Sequence, residues 1–157
     1  MSKKYNLYIG KAGQLYVMSK FLIRGWNVAM PEVDTGDDIF VVEDENETFY
    51  RVQVKTANAV ERKQGYSVQF NLPLYQLEEY EASIYYVFLI RSSIGWSQML
   101  LIPQSSILYH LQNSKIGSVY KNNLTLYFSI KDDKITCSNL DFTEYINNFN
   151  DFPIVNH

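Results

Sequence analysis

A chain of 157 residues is long enough to bury a core and short enough to form one domain, here taken as 1–157. Its 46% hydrophobic and 15% aromatic content excludes general disorder, and its single cysteine excludes an internal disulfide and a cysteine-built zinc cage. A formal net charge of −3 argues against non-specific binding of nucleic acid over the whole surface.

In chain order, Gly10 to Arg24 reads as a helix. Leu15, Met18, Leu22 and either Val17 or Phe21 form an apolar stripe at helical spacing, and Gly25 follows as a C-cap. Trp26 to Met30 is a short strand closed by Pro31. Two β-branched runs, about 37–43 and 48–56, flank the acidic segment Glu43 to Glu47 and predict a hairpin. Tyr66 to Phe70 alternates and reads as a strand. Pro73 opens a helix from Leu74 to Ala82. Ile84 to Ile90 is nearly continuous apolar sequence, the mark of a central strand buried on both faces. Trp96 to Ile102 returns antiparallel to it. A helix over Ser105 to Gln112, a strand over Leu124 to Ile130 and a terminal helix over Phe142 to Phe149 complete the reading, with Asn147 to Asn150 as a fraying terminus. The order is α/β, with a mixed sheet and a helix on each side.

The hairpin carries the chemistry. A turn centred on Glu45-Asn46 sets Asp38 opposite Gln53, with Lys55 two residues further along the same face. Arg51, Gln53 and Lys55 share that face, while Val52 and Val54 point into a core. A carboxylate, an amide oxygen and an ammonium converging there can hold a divalent metal beside a phosphate. Lysine on a strand is disfavoured unless exposed or paired, which singles out Lys55. Nine of the 14 Lys and Arg lie within the first 63 residues, so a local basic face near the hairpin mouth is compatible with the acidic total. No apolar run reaches the roughly 18 residues of a membrane span, and Met1 to Tyr5 has no signal-peptide pattern, so a cytoplasmic protein is expected. His110 has no cysteine or acid at catalytic spacing and reads as a helix-surface histidine, and His157 is terminal.

These residues resemble the PD-(D/E)xK nuclease superfamily, the restriction-endonuclease-like fold. Its common core, αβββαβ, matches the order read here from about residue 9 to residue 91, leaving 92–157 as C-terminal strand and helix additions. The family's strand-initiating acid falls on Asp38, within Asp34-Thr35-Gly36-Asp37-Asp38-Ile39, and its (D/E)xK element falls on Gln53-Val54-Lys55. Glutamine at that first position is similar to the resolvase and homing-endonuclease branch. The Gly-Glu pair that often opens the family's first helix falls on Gly13-Gln14. The resemblance implies a Mg²⁺-dependent endonuclease acting on duplex or branched DNA, with Mn²⁺ able to replace Mg²⁺. Asp38 and Gln53 would be metal ligands, Lys55 would position water and stabilise charge on the phosphate, and Gln14 would orient a water from the outer shell. Lys11 and Arg51 would hold flanking phosphates, and cutting two strands with one site per chain favours a homodimer. With amides at Gln14 and Gln53, metal affinity falls below that of an all-acid site. The alternative is a catalytically impaired member of the fold that serves as a nucleic-acid-binding or protein-interaction module.

Overall fold

The computed structural model describes residues 2–33, 36–78 and 84–157. In chain order the elements are α1 (Lys3–Ile23), β1 (Asn27–Ala29), β2 (Ile39–Glu43), β3 (Thr48–Asn58), β4 (Val60–Arg62), β5 (Gly65–Pro73) and α2 (Leu74–Glu78). They continue with β6 (Ile84–Ser92), β7 (Gly95–Pro103), α3 (Gln104–Ser114), β8 (Ser118–Tyr120), β9 (Asn123–Lys131), β10 (Lys134–Cys137), β11 (Leu140–Asp141) and a 3₁₀ turn, Thr143–Tyr145. No helix among the described residues is long and apolar enough to cross a membrane.

The first sheet runs β1-β2-β3-β6-β7, with β3 and β6 parallel and the other pairs antiparallel. With α1 before it and α2 leading into β6, the order α1-β1-β2-β3-α2-β6 is the αβββαβ of a restriction-endonuclease-like core, with β4 and β5 inserted before α2. Every side chain from Ile84 to Ile90 is buried. Tyr85, Val87 and Leu89 join Val52, Val54, Ile39 and Val41 in a core covered by α1. Tyr86, Phe88 and Ile90 face the other way, into a larger core. Helices α2 and α3 contribute Leu77 and Ile107 to that core. Most of its cover is a second, antiparallel sheet, β11-β10-β9-β5-β4 with β8 beside β9. Strand β5 therefore pairs with β9, about 60 residues on, and not with the hairpin that precedes it.

The hairpin register is the one anticipated: Ile39 pairs with Val52, Val41 with Tyr50 and Glu43 with Thr48. The carboxylate of Glu43 accepts hydrogen bonds from the backbone N–H of Glu45 (3.2 Å) and of Asn46 (2.9 Å), so the turn's own acid closes it. Helix α1 departs from the sequence reading. It starts at Lys3, not Gly10, because the Ser2 hydroxyl caps it by accepting from Tyr5 N–H (3.2 Å). Its buried stripe is Gly13, Val17 and Phe21, whereas Leu15 and Leu22 remain 52% and 53% exposed. Gly13 sets the phase: a Cβ there would collide with the Thr56 hydroxyl and touch Leu89, so only glycine lets the helix approach β3 this closely. The C-terminus closes as expected around Gly25 (φ +84°), with Trp26 N–H bonded to Phe21 C=O (3.1 Å) and Gly25 N–H to Leu22 C=O (2.9 Å).

Three further corrections concern the ends of elements. Strand β3 continues to Asn58, so Lys55 lies within the strand and is half-buried, not at an exposed strand end. Helix α2 is described only as Leu74–Glu78, and the rest of the helix anticipated to Ala82 lies outside the described residues. The terminal helix over Phe142 to Phe149 is reduced to the 3₁₀ turn, and the segment after it does not fray. Phe149 and Phe152 pack edge-on against Phe21 beneath α1. Arg24 Nε donates to Phe152 C=O (2.7 Å), and Trp26 Nε1 donates to Pro153 C=O (2.8 Å). The Tyr85 hydroxyl donates to the Asp151 carboxylate. Phe152 is 0% exposed, so Phe152→Ala is expected to cost about 3–5 kcal/mol. Urea denaturation followed by fluorescence checks this, and a loss below about 1 kcal/mol would mean the tail is not part of the core.

Candidate active site

Strand β3 is longer than its partner β2. The ladder ends at Ile39–Val52, and beyond it the edge of β3 presents backbone groups with no strand to meet them. Asp38 fills the gap. Its backbone N–H donates to Val52 C=O (3.1 Å), and its Oδ2 accepts from Val54 N–H (2.7 Å). Its Oδ1 accepts from Gln14 Nε2 (2.8 Å), and Gln14 Oε1 accepts from Lys11 Nζ (3.2 Å). This chain fixes the glutamine's orientation on chemical grounds: an ammonium can only donate and a carboxylate can only accept. Lys11 Nζ also lies 2.9 Å from the Met30 sulfur. The structure therefore brings Lys11, Gln14 and Asp38 together through side-chain contacts.

On β3, alternation holds as anticipated, but the face it defines is not an open one. In the parallel pairing with β6, Gln53 sits beside Tyr86 and Lys55 beside Phe88, on the side of the second sheet. Gln53 is only 4% exposed. Lys55 has no hydrogen-bond or ion-pair partner among the described residues. Arg51 holds the buried Asp37: its Nε and one terminal nitrogen each lie 2.8 Å from Asp37 Oδ2. That ion pair ties the guanidinium to the protein's own carboxylate.

Behind Gln53 lies a set of polar groups that sequence reasoning missed. Gln53 Oε1, Gln76 Oε1, Gln104 Oε1 and the Tyr86 hydroxyl are buried with no partner among the described residues. Gln104 Nε2 donates to Gln76 C=O (2.7 Å). A Cβ added at Gly36 (φ +108°) would lie 3.1 Å from Gln76 Nε2 and 3.6 Å from Gln53 Nε2, so the two amides converge on that glycine. Burial, and then the charges of Asp37, Tyr75 and Asp38, push the Tyr86 hydroxyl well above its usual pKa, which keeps it protonated at neutral pH. A buried acceptor without a donor costs about 1–3 kcal/mol. Nothing in the sequence marks Gln76, Tyr86 and Gln104. A buried glutamine and a surface glutamine look the same in a sequence, and Tyr86 sits in a run that reads as plain core.

No protein-family model and no curated protein matches the chain. Among solved structures it is similar to a bacterial homing endonuclease, I-Ssp6803I, at 18% identity over 80% of this chain and 78% of that chain, with a TM-score of 0.48. It is also similar to the Archaeoglobus fulgidus protein Hjc, a Holliday junction resolvase from an archaeal hyperthermophile. There the identity is 11% over 79% of this chain and 84% of that chain, with a TM-score of 0.44.

Among the described residues no group of three or more His, Cys, Asp or Glu side chains could hold a metal ion. Asp38 offers one carboxylate and Gln53 an unpartnered amide oxygen, both hard oxygens of the type Mg²⁺ takes. They fit such a cation in kind and are short in number, which leaves most of the coordination to water. Asp38 also has a structural duty that can be measured separately. Asp38→Ala leaves Val54 N–H without its acceptor and is expected to cost about 1–3 kcal/mol, whereas Asp38→Asn keeps an oxygen there and costs less. Equal losses for the two variants in urea titrations would show that the Val54 bond contributes nothing.

Proposed function

We propose that this chain is a divalent-metal-dependent nuclease that hydrolyses phosphodiester bonds in DNA, duplex or branched. The observation that carries this reading is the Asp38 carboxylate, held at the open edge of β3 between Gln14 Nε2 and Val54 N–H. Along the chain it adjoins the last ladder pair, Ile39–Val52, and Gln53 and Lys55 follow Val52 on β3. Asp38 and Gln53 would hold the cation, Mg²⁺ or Mn²⁺. When bound, it supplies positive charge to the phosphate and acidifies water beside it.

The chain's own residues do the rest. Gln14, itself fixed by Lys11, sets the rotation of the Asp38 carboxylate. Lys55, with no carboxylate to neutralise it among the described residues, offers its ammonium to the phosphate oxygens as negative charge builds on them. Lys11 is exposed and within reach of a flanking phosphate. Arg51, bound to Asp37, stiffens the turn into β2. One site per chain suits a homodimer when both strands are cut.

A second reading, a binding module that has lost catalysis, is favoured by a specific observation: both oxygens of Asp38 already accept hydrogen bonds from the protein. The two readings part in a cleavage assay on supercoiled and branched DNA. If the site is active, Lys55→Ala lowers Mg²⁺-dependent cleavage by at least ~10²-fold while changing stability by no more than about 1 kcal/mol. Undiminished cleavage in that variant removes Lys55 from the reaction. Absence of wild-type cleavage in either Mg²⁺ or Mn²⁺ favours the second reading. The missing carboxylate yields a separate expectation. Gln14→Glu should tighten Mn²⁺ binding in calorimetry, because it adds a charged oxygen beside Asp38. An unchanged affinity would confine Gln14 to holding Asp38 in place.

A further inference from the structure

The outer face of the second sheet has a chemistry unlike the rest of this acidic chain. Val68, Phe70 and Leu72 of β5, and Leu124, Leu126 and Phe128 of β9, all point into the core. Their alternates face outward and are almost all uncharged polar residues. At one end of this face, Arg62, Lys131 and Lys134 line a concavity of about 720 Å³ together with Tyr66, Ser67, Ser129 and Thr136.

Three features of this basin are unfavourable for an empty surface. Lys131 and Lys134 are direct cross-strand partners, an arrangement of like charges that destabilises a sheet. They flank a two-residue turn, Asp132-Asp133, with φ of +49° and +62°, which fixes the register. Lys131 and Arg62 bond to neutral groups, Lys131 Nζ donating to Gln64 Oε1 (2.7 Å) and Arg62 Nε to Ser67 Oγ (2.7 Å), while Lys134 helps to lower the pKa of the nearby Asp141 carboxylate. Asp132 stands on the rim, yet neither it nor Asp133 forms an ion pair with any of the three among the described residues. An anion seated in the basin would offset all of this.

We propose that this face, centred on Arg62, Lys131 and Lys134, is a docking surface for the phosphate backbone of duplex DNA. The choice of DNA rests on the nuclease reading, and the face agrees with it. Gln69 and Asn71, whose amides are joined (3.3 Å), stand beside the exposed ring of Tyr127. Amides and hydroxyls on a pleated surface contact phosphate, sugar and base edges, and the exposed Tyr120 and Tyr127 add ring surface to the same face. Arg62 follows Lys55 by seven residues, so their Cα atoms lie no more than about 25 Å apart, roughly the rise of seven base pairs.

The test is anisotropy of a labelled 30-base-pair duplex with the full chain in EDTA, across a salt series. The triple variant Arg62→Gln/Lys131→Gln/Lys134→Gln should weaken binding at least ~10-fold at low salt and lower the log–log salt slope by about 2–3, near 0.9 for each phosphate no longer neutralised. The single variant Lys134→Gln should lower the slope by about 1 and also raise the urea midpoint, since it relieves the Lys131–Lys134 pair; this keeps the test open if the triple variant does not fold. An unchanged slope overturns the proposal, as does wild-type binding to phosphatidylserine vesicles without binding to the duplex. Because EDTA removes cleavage, the two readings fail separately. Wild-type cleavage with an unchanged variant slope sinks the docking face alone, and a lowered slope in a chain that never cuts DNA sinks the nuclease alone.

Discussion

Strand β6 governs the architecture. Seven consecutive buried residues, Ile84 to Ile90, give it no face that tolerates water, so each side of the first sheet must be covered. Helix α1 covers one side with the stripe Gly13, Val17 and Phe21. The other side exposes Tyr86, Phe88 and Ile90, a wide aromatic surface that two short helices cannot hide. The chain answers with a second sheet, for which it inserts β4 and β5 between β3 and α2 and adds β8 to β11 after α3. The insertion and the C-terminal strands are thus two halves of one structural response. Phe70, Phe88 and Phe128, with ring centroids 4.9–5.9 Å apart, are where the halves meet.

The candidate site grows out of a smaller mismatch. Because β2 stops at Ile39 while β3 runs to Asn58, a backbone N–H near the middle of the sheet is left without a strand partner. Asp38 supplies the acceptor, and in doing so its carboxylate is carried to Gln14, midway along α1. In the proposed site, the oxygen atoms that satisfy the fold are those a cation would use. Fold and chemistry therefore compete for one side chain, and Gln14 and Lys11 decide how much of it stays committed to the protein.

What the sequence conveyed follows how locally each feature is encoded. The hairpin register was legible because two β-branched runs and a four-residue acidic loop leave one way to pair. The central strand was legible from its apolar run. The early start of α1 was hidden because Tyr5, Leu7 and Tyr8 are exposed, so its first two turns show no apolar period. Its phase was misread because a glycine, not a leucine, is the residue pressed into the sheet. Phe142, Tyr145, Phe149 and Phe152 are spaced like a helix, yet the first two pack in the core beneath the second sheet and the last two in the core beneath α1. Their spacing reflects a chain crossing from one core to the other. The burial of Gln53 was invisible because the sheet that covers its face is assembled from segments distant in sequence.

That crossing has a temporal consequence. Trp26 and its hydrogen-bond acceptor Pro153 are separated by 127 residues. A ribosome adding about 5–20 residues per second delivers the second partner roughly 6–25 s after the first. Throughout that interval α1 and β1 exist as a nascent segment with Phe21 and Trp26 lacking Phe152 beneath them. The amino-terminal layer, though made first, is completed last, and a chain released early by a stop codon a few residues upstream would leave the ribosome with its aromatic underside still open to chaperones and proteases.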